Sequence, residues 1–141
     1  MEVKSYEDIE IGQKDSLTHT ITTEDIELFG KLSGDYNPVH FNDEFAKKTI
    51  FKGRIAHGLL SGAFISTLLA NKLPGPGSVY LKQEFIFKKP VKIGDKITVQ
   101  AEVVNKFDDK KHILLKTYCT NQNGEIVLDG EALVTIMRLE T

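Results

Sequence analysis

"GLLSGAFISTLLA", Gly58 to Ala70, runs into the breaker cluster "LPGPGS", and the chain changes its period across that cluster. Before it, apolar residues recur at helical spacing; after it they recur at every second residue, as in strands. The first segment predicts a helix from Gly58 to about Lys72 that is apolar nearly all round, and such a helix is one surrounded by protein. It is too short to cross a membrane, which takes about 20 apolar residues, and Ser61, Gly62, Ser66 and Thr67 interrupt it.

Downstream, "VYLKQEFIF" places Val79, Leu81, Phe85 and Phe87 on one face, and "ITVQAEVV" does the same for Ile97, Val99, Ala101 and Val103. With "HILLKTYCT" and "EALVTIMRL" these make three or four long strands, joined by "KPVKIGDK", "FDDKK" and "NQNGE", each rich in turn residues. Upstream, "LTHTI" at 17–21 reads as a short strand. "TTEDIELFGKLSG" reads as a helix capped by Thr22 or Thr23 and stopped by Gly34, with Ile26, Phe29 and Leu32 on its buried face. "DYNPV" is turn chemistry and "DEFAKK" a short helix.

Helices first and antiparallel strands second is an α+β order. A curved antiparallel sheet wrapped around one central apolar helix is the hot dog arrangement. No repeat or linker divides the chain, so a single domain over residues 1–141 is expected, a length at which one core is the rule.

Composition narrows the function. Apolar residues at 40% and charged residues at 27% are ordinary for a folded globular chain. A formal net charge of -2 gives no field of the kind nucleic-acid binders use, so neither nucleic acid nor membrane is an expected partner. Cys119 has no partner for a disulfide, and "MEVKSYEDIE" lacks the basic-then-apolar plan of a signal peptide, so the cytoplasm is the expected compartment.

Chemistry centres on "SGDYNPVH", Ser33 to His40. A turn needs its Asp, Asn and Pro but has no need of the His. Asp35 and His40 lie across a turn containing Pro38, so their side chains can converge, and an acid and an imidazole sharing one water form a general acid/base unit. Alternatively, Asp35 and Asn37 only stabilise the turn while His40 caps "FNDEF". "RIAHGLLSG" adds a second element: Gly58 opens the apolar helix, whose unpaired N–H groups and dipole suit developing negative charge. Here the plainer alternative is that His57 caps the helix and Gly58 permits close packing. His19 and His112 occupy ordinary strand positions. No metal site is expected, because the histidines lack ligand spacing, and no dinucleotide or P-loop glycine pattern is present.

"SGDYNPVH" followed by "RIAHGLLSGAFIS" and "LPGPGSVYLKQEFIFKKPVKIGD" resembles the MaoC-like hydratases, in particular the short (R)-specific enoyl-CoA hydratases, from about Tyr6 to Met137. The resemblance implies a hot dog homodimer joined edge to edge, with no cofactor beyond the coenzyme A of an acyl-CoA substrate. It implies reversible syn hydration of a trans-2-enoyl thioester to the (R)-3-hydroxyacyl thioester. Asp35 and His40 would hold and activate the water, Asn37 would brace the loop, and the N–H of Gly58 would bind the thioester oxygen. Ser66 matches a serine that lies near this pair in relatives, and His57 would support the site. Leu59, Phe64, Leu68 and Tyr80 are candidates for the acyl pocket, and Lys52, Arg54, Lys88 and Lys89 for the phosphates of coenzyme A.

Three other readings compete. A thioesterase or a 3-hydroxyacyl-[acyl-carrier-protein] dehydratase of this fold would place an acid in the central helix, and "GLLSGAFISTLLANK" has none. A non-catalytic acyl-CoA-binding subunit would be expected to have lost Asp35 or His40.

Overall fold

Six strands form one antiparallel sheet in the order β1-β4-β5-β6-β2, with β3 also pairing with β6. The computed structural model describes residues 2–140. The strands are β1 (Lys14–Thr20), β2 (Ser78–Gln83), β3 (Ile86–Phe87), β4 (Lys96–Phe107), β5 (His112–Thr120) and β6 (Ile126–Ile136). Four helices lie between β1 and β2: α1 (Thr23–Ser33), α2 (Pro38–Phe41), α3 (Asp43–Lys47) and α4 (Gly58–Asn71).

The alternation written in β4 and β5 becomes one dry face. Ile97, Val99, Ala101 and Val103 of β4 and Ile113, Leu115 and Cys119 of β5 are buried, and Ile65, Leu68 and Leu69 of α4 pack into the same cluster. Register irregularities between Val103 and Asn105, between Tyr80 and Lys82, and between Cys119 and Thr120 bend the strands and increase their twist. The α+β hot dog arrangement is therefore present, with β4 the principal neighbour of α4.

Several boundaries and faces differ from expectation. β1 starts at Lys14 and not Leu17. "VYLKQEFIF" is two strands, because the irregularity after Tyr80 shifts the phase and only Ile86 and Phe87 resume pairing, further along β6. Leu81 is consequently 45% exposed, while Phe85 and Phe87 still face α4 across Gly62 and Gly58. The buried stripe of α1 is Ile26 and Gly30 with Phe29 half-buried; Leu32 is 88% exposed, being one position round from that stripe. "DYNPV" continues into the single helical turn α2.

The central helix is also not enclosed all round. Leu60, Ser61, Gly62, Ile65, Leu68 and Leu69 are buried, but Leu59 is 56% exposed, and Ala63, Ser66, Thr67 and Ala70 are not buried either. Hydropathy averaged over the segment could not separate an enclosed helix from one whose outer face is made of small residues. The end residues 1 and 141 of the expected domain lie outside the described residues.

Candidate active site

The site is assembled by two short stretches that are stitched together through their backbones. Helix α1 ends at Gly34, whose φ of 78° is open to glycine at little cost and turns the chain back. Asp35 Oδ1 then accepts from Asn37 N at 3.3 Å, and Asn37 Oδ1 accepts from Val39 N at 3.3 Å. Asn37 is thus the N-cap of α2, with Pro38 preset at the first helical position. His40 does not cap the next helix; Asn42 does, through Phe45 N at 2.9 Å.

That single turn drives His40 inward, where it is 9% exposed. Its Nδ1 lies 2.7 Å from the carbonyl of Ile55, an oxygen that only accepts, so Nδ1 carries the hydrogen and Nε2 presents a lone pair. Arg54 Nε donates to the His40 carbonyl at 2.7 Å, and Ile55 N donates to the Val39 carbonyl at 3.2 Å. Burial pushes the His40 imidazolium pKa below its ordinary 6.5; the proximity of His57 works in the same direction, against the bond to Ile55 and the charge of Asp35.

Asp35, His40 and His57 each place a ligand-type atom within 4.8 Å of the other two, a separation that one water molecule spans. The His40 and His57 rings are stacked, with centroids 4.0 Å apart and planes inclined by 31°. The cluster suits proton transfer through one shared water.

These groups open onto a cavity of about 450 Å³, lined by Asp35, His40, His57, Gly58 and Ser61 together with residues of the β3 segment such as Phe87 and Lys88. Gly58 is the first residue of α4, so its N–H is one of those that no helical carbonyl reaches. The glycine also lets Phe87 approach closely: a Cβ there would meet the Phe87 ring at 2.5 Å unless that ring moved. His57 precedes it without capping the helix through its side chain. It is 2% exposed, and its Nε2 lies 3.0 Å from the Asp35 carbonyl.

Asp35, His40, His57 and Gly58 therefore meet at one cavity, with Asn37 bracing the loop. Ser66 does not join them: it is on the exposed side of α4, and the serine lining the cavity is Ser61, four residues after His57. Of the expected acyl-pocket residues only Leu59 lines the cavity. Phe64 instead stacks on His19 at 4.3 Å, Leu68 is fully buried core, and Tyr80 bonds to Gln83. His19 has more than a strand role, since its Nε2 pairs with Asp25 at 2.7 Å. Lys88 and Lys89 line the cavity, while Arg54 is drawn to His40. The bracing role of Arg54 and the place of Ser61 were the contributions that sequence reasoning missed; the i, i+4 spacing of His57 and Ser61 in "HGLLS" was the available signal for the second.

Fold and site together define a hot dog domain with an acid and an imidazole set at the N-terminus of its central helix. The chain belongs to the MaoC like domain family, which matches residues 7–123. It is 47% identical to an (R)-specific enoyl-CoA hydratase of Rhodospirillum rubrum, over 93% of this chain and 90% of that protein. It is 40% identical to a 3-hydroxybutyryl-CoA dehydratase of Methylorubrum extorquens, over 99% of this chain and 88% of the relative. Its backbone superposes on an unliganded R-hydratase from Pseudomonas aeruginosa with a TM-score of 0.89 at 43% identity, covering 99% of this chain and 93% of that one.

Proposed function

We propose that this protein is a hydro-lyase that adds water reversibly and syn to trans-2-enoyl-CoA, giving (R)-3-hydroxyacyl-CoA, and that it dehydrates the latter in reverse. The observation that carries this reading is the convergence of the Asp35 carboxylate and the His40 ring, whose Nδ1 is already bonded to Ile55, on the cavity that Gly58 also lines. Relatives that are named hydratases and dehydratases over nearly the whole chain support it.

In this mechanism the water sits between Asp35 and His40. Nε2 of His40 takes one proton as the water oxygen bonds to Cβ, and electron density moves through the Cα–Cβ bond to the thioester oxygen. The Gly58 N–H and the α4 dipole stabilise that oxygen, an effect worth several kcal/mol in a site that excludes water. A proton then returns from the same pair to Cα on the same face, so one water is consumed and neither residue changes its charge over the cycle. Acid/base assistance of this kind contributes about 10²–10⁴-fold. The chemistry needs no resident cofactor and no metal.

Lys88 at the cavity border suits a phosphate of coenzyme A, and Lys89 beside it is paired with Glu125 and would have to exchange that partner to do the same. We read the acyl group as short, with crotonyl-CoA the first substrate to test. The protein acts in the cytoplasm as a homodimer in this reading; for the dimer, Leu81 on edge strand β2 is an exposed apolar group that a second copy would cover.

Loss of enoyl absorbance with crotonyl-CoA, followed by chiral analysis, is the test. Rapid loss giving the (R)-3-hydroxy product is expected. No reaction with crotonyl-CoA or its octenoyl homologue, but reaction with the acyl-carrier-protein thioester, would move the substrate class. Silence with all three would leave a binding subunit. Sedimentation giving a mass near 15.8 kDa would contradict the dimer.

A further inference from the structure

His57 is the buried titratable group that the mechanism above does not use. It is more buried than His40 and is held on three sides by aromatic rings: His40 at 4.0 Å, Phe29 at 4.6 Å and Phe41 at 5.5 Å between centroids. Its one bonded ring nitrogen, Nε2, faces the Asp35 carbonyl at 3.0 Å. A carbonyl only accepts, so Nε2 carries the hydrogen. Among the described residues the remaining nitrogen, Nδ1, is buried without a partner, and so is the hydroxyl of Ser61, which is 1% exposed.

Orphaned polar atoms in a protein interior are few, because each one gives up its hydrogen bonds to water and regains none. Here two occur one helical turn apart on the wall of a single cavity, and they are complementary. With Nε2 protonated, Nδ1 offers a lone pair, whereas a serine hydroxyl can donate.

Building on the hydratase reading, we propose that His57 is a positioning residue for the dyad, its Nε2–H fixing the Asp35 backbone and its ring face fixing the His40 imidazole, with the Ser61 hydroxyl turned onto Nδ1 to lock that tautomer. In this role His57 itself transfers no proton. It joins the two halves of the acid/base unit: one contact is with the backbone of the acid, the other with the ring of the base, and a misplacement of either by about 1 Å costs on the order of 10²-fold in rate.

The test compares His57→Leu, His57→Gln, Ser61→Ala and the Ser61→Ala/His57→Leu double variant with the unchanged protein on crotonyl-CoA. Melting temperature and sedimentation establish that each is folded. His57→Leu should lower kcat by about 10²-fold with KM within about threefold. His57→Gln, whose amide can donate where Nε2–H did, should regain most of the loss. Ser61→Ala should lower kcat severalfold in the unchanged background and have no further effect in the His57→Leu background, the signature of a residue acting through another. A folded His57→Leu variant with full kcat, or no rescue by Gln, would overturn the proposal. So would a Ser61→Ala loss that persists in the double variant.

A second readout does not depend on turnover. Long-range ¹H–¹⁵N spectra should show His57 with a protonated Nε2 and a pyridine-like Nδ1, and the reverse tautomer would refute the arrangement. Should the unchanged protein hydrate nothing, the hydratase reading fails while this tautomer result still stands or falls on its own.

Discussion

Arg54 and His40 are joined through an unusual pairing of parts: the guanidinium Nε of the first donates to the backbone carbonyl of the second at 2.7 Å, not to its ring. The contact holds the last residues of the α2 turn while leaving the imidazole free to bond to Ile55 and face the cavity. One of the five guanidinium donors of Arg54 is thereby committed to the fold. Replacing Arg54 with Met keeps much of the stem but deletes a charged donor, an interaction of about 1.5–3 kcal/mol. Arg54→Met should lower the melting temperature by several degrees and reduce kcat by about tenfold, with little change in KM. A rise in KM with kcat intact would return Arg54 to a substrate-binding role.

The two reacting side chains have a sharper signature. Asp35→Asn and His40→Gln should each reduce kcat by about 10²–10⁴-fold. The double variant should be scarcely worse than the poorer single one, because the pair handles one water as a unit. Folding should be little affected by Asp35→Asn, since that residue is exposed and its amide oxygen can still accept from Asn37 N. Rates on crotonyl-CoA alongside thermal melts measure both; additive losses would argue that the groups act independently.

Acidity gives a third expectation. Burial keeps the folded-state pKa of His40 below the ordinary 6.5, so its Nε2 lone pair survives into mildly acidic solution. The acid limb of kcat/KM for crotonyl-CoA should therefore have its midpoint below pH 6.5. The same shift acts on stability. Between the lowered value and 6.5 the unfolded chain binds more protons at this residue than the folded one, so its contribution turns unfavourable as pH falls through that window. In His40→Gln the stability lost on acidification from neutrality to below that window should be smaller than in the unchanged protein. An acid limb centred above 6.5 would exclude His40 as the base.

Gly58 and Gly62 allow steric and electronic roles to be separated. An added methyl at Gly58 meets the Phe87 ring at 2.5 Å, and one at Gly62 meets the Phe85 ring at 2.7 Å. Phe87 is 55% exposed and can swing aside, whereas Phe85 is packed against the core. Gly62→Ala should thus destabilise by about 1–3 kcal/mol. Gly58→Ala should melt nearly as before but raise KM, because Phe87 is displaced into the cavity it lines. Phe87→Leu in that background should restore KM. If kcat instead falls and Phe87→Leu does not help, the Gly58 N–H itself has been misaligned.

How far the sequence led depends on the range over which each feature is encoded. The α1 cap as one of Thr22 and Thr23, which the structure places at Thr22, the stop at Gly34 and the β5 limits His112–Thr120 were legible, since capping chemistry and strict alternation are local. The Asp35–His40 pair was legible as a possibility because a proline-bearing turn limits where its flanks can point. The break between β2 and β3 was not, because it depends on register against β6, a strand some 50 residues away. Ser66 was placed at the site by resemblance, but helical phase carries it to the exposed side and puts Ser61 at the cavity. The bracing contact of Arg54 could not be found by spacing at all, for its partner is a backbone atom brought near only when residues 39 and 55 hydrogen-bond.

The pairing of Thr20 with Lys96 has a kinetic corollary. Strands β4, β5 and β6 are successive hairpins and can zip from their own short turns, whereas β1 must find β4 across residues 21–95, a closure that is entropically slow. Asp35, His40, His57 and Gly58 all lie within that closed loop. Refolding is thus predicted to protect the amides of β5 from exchange before those of α2, with activity returning in the later phase. Simultaneous protection of both would show that the loop and the hairpins fold as one unit.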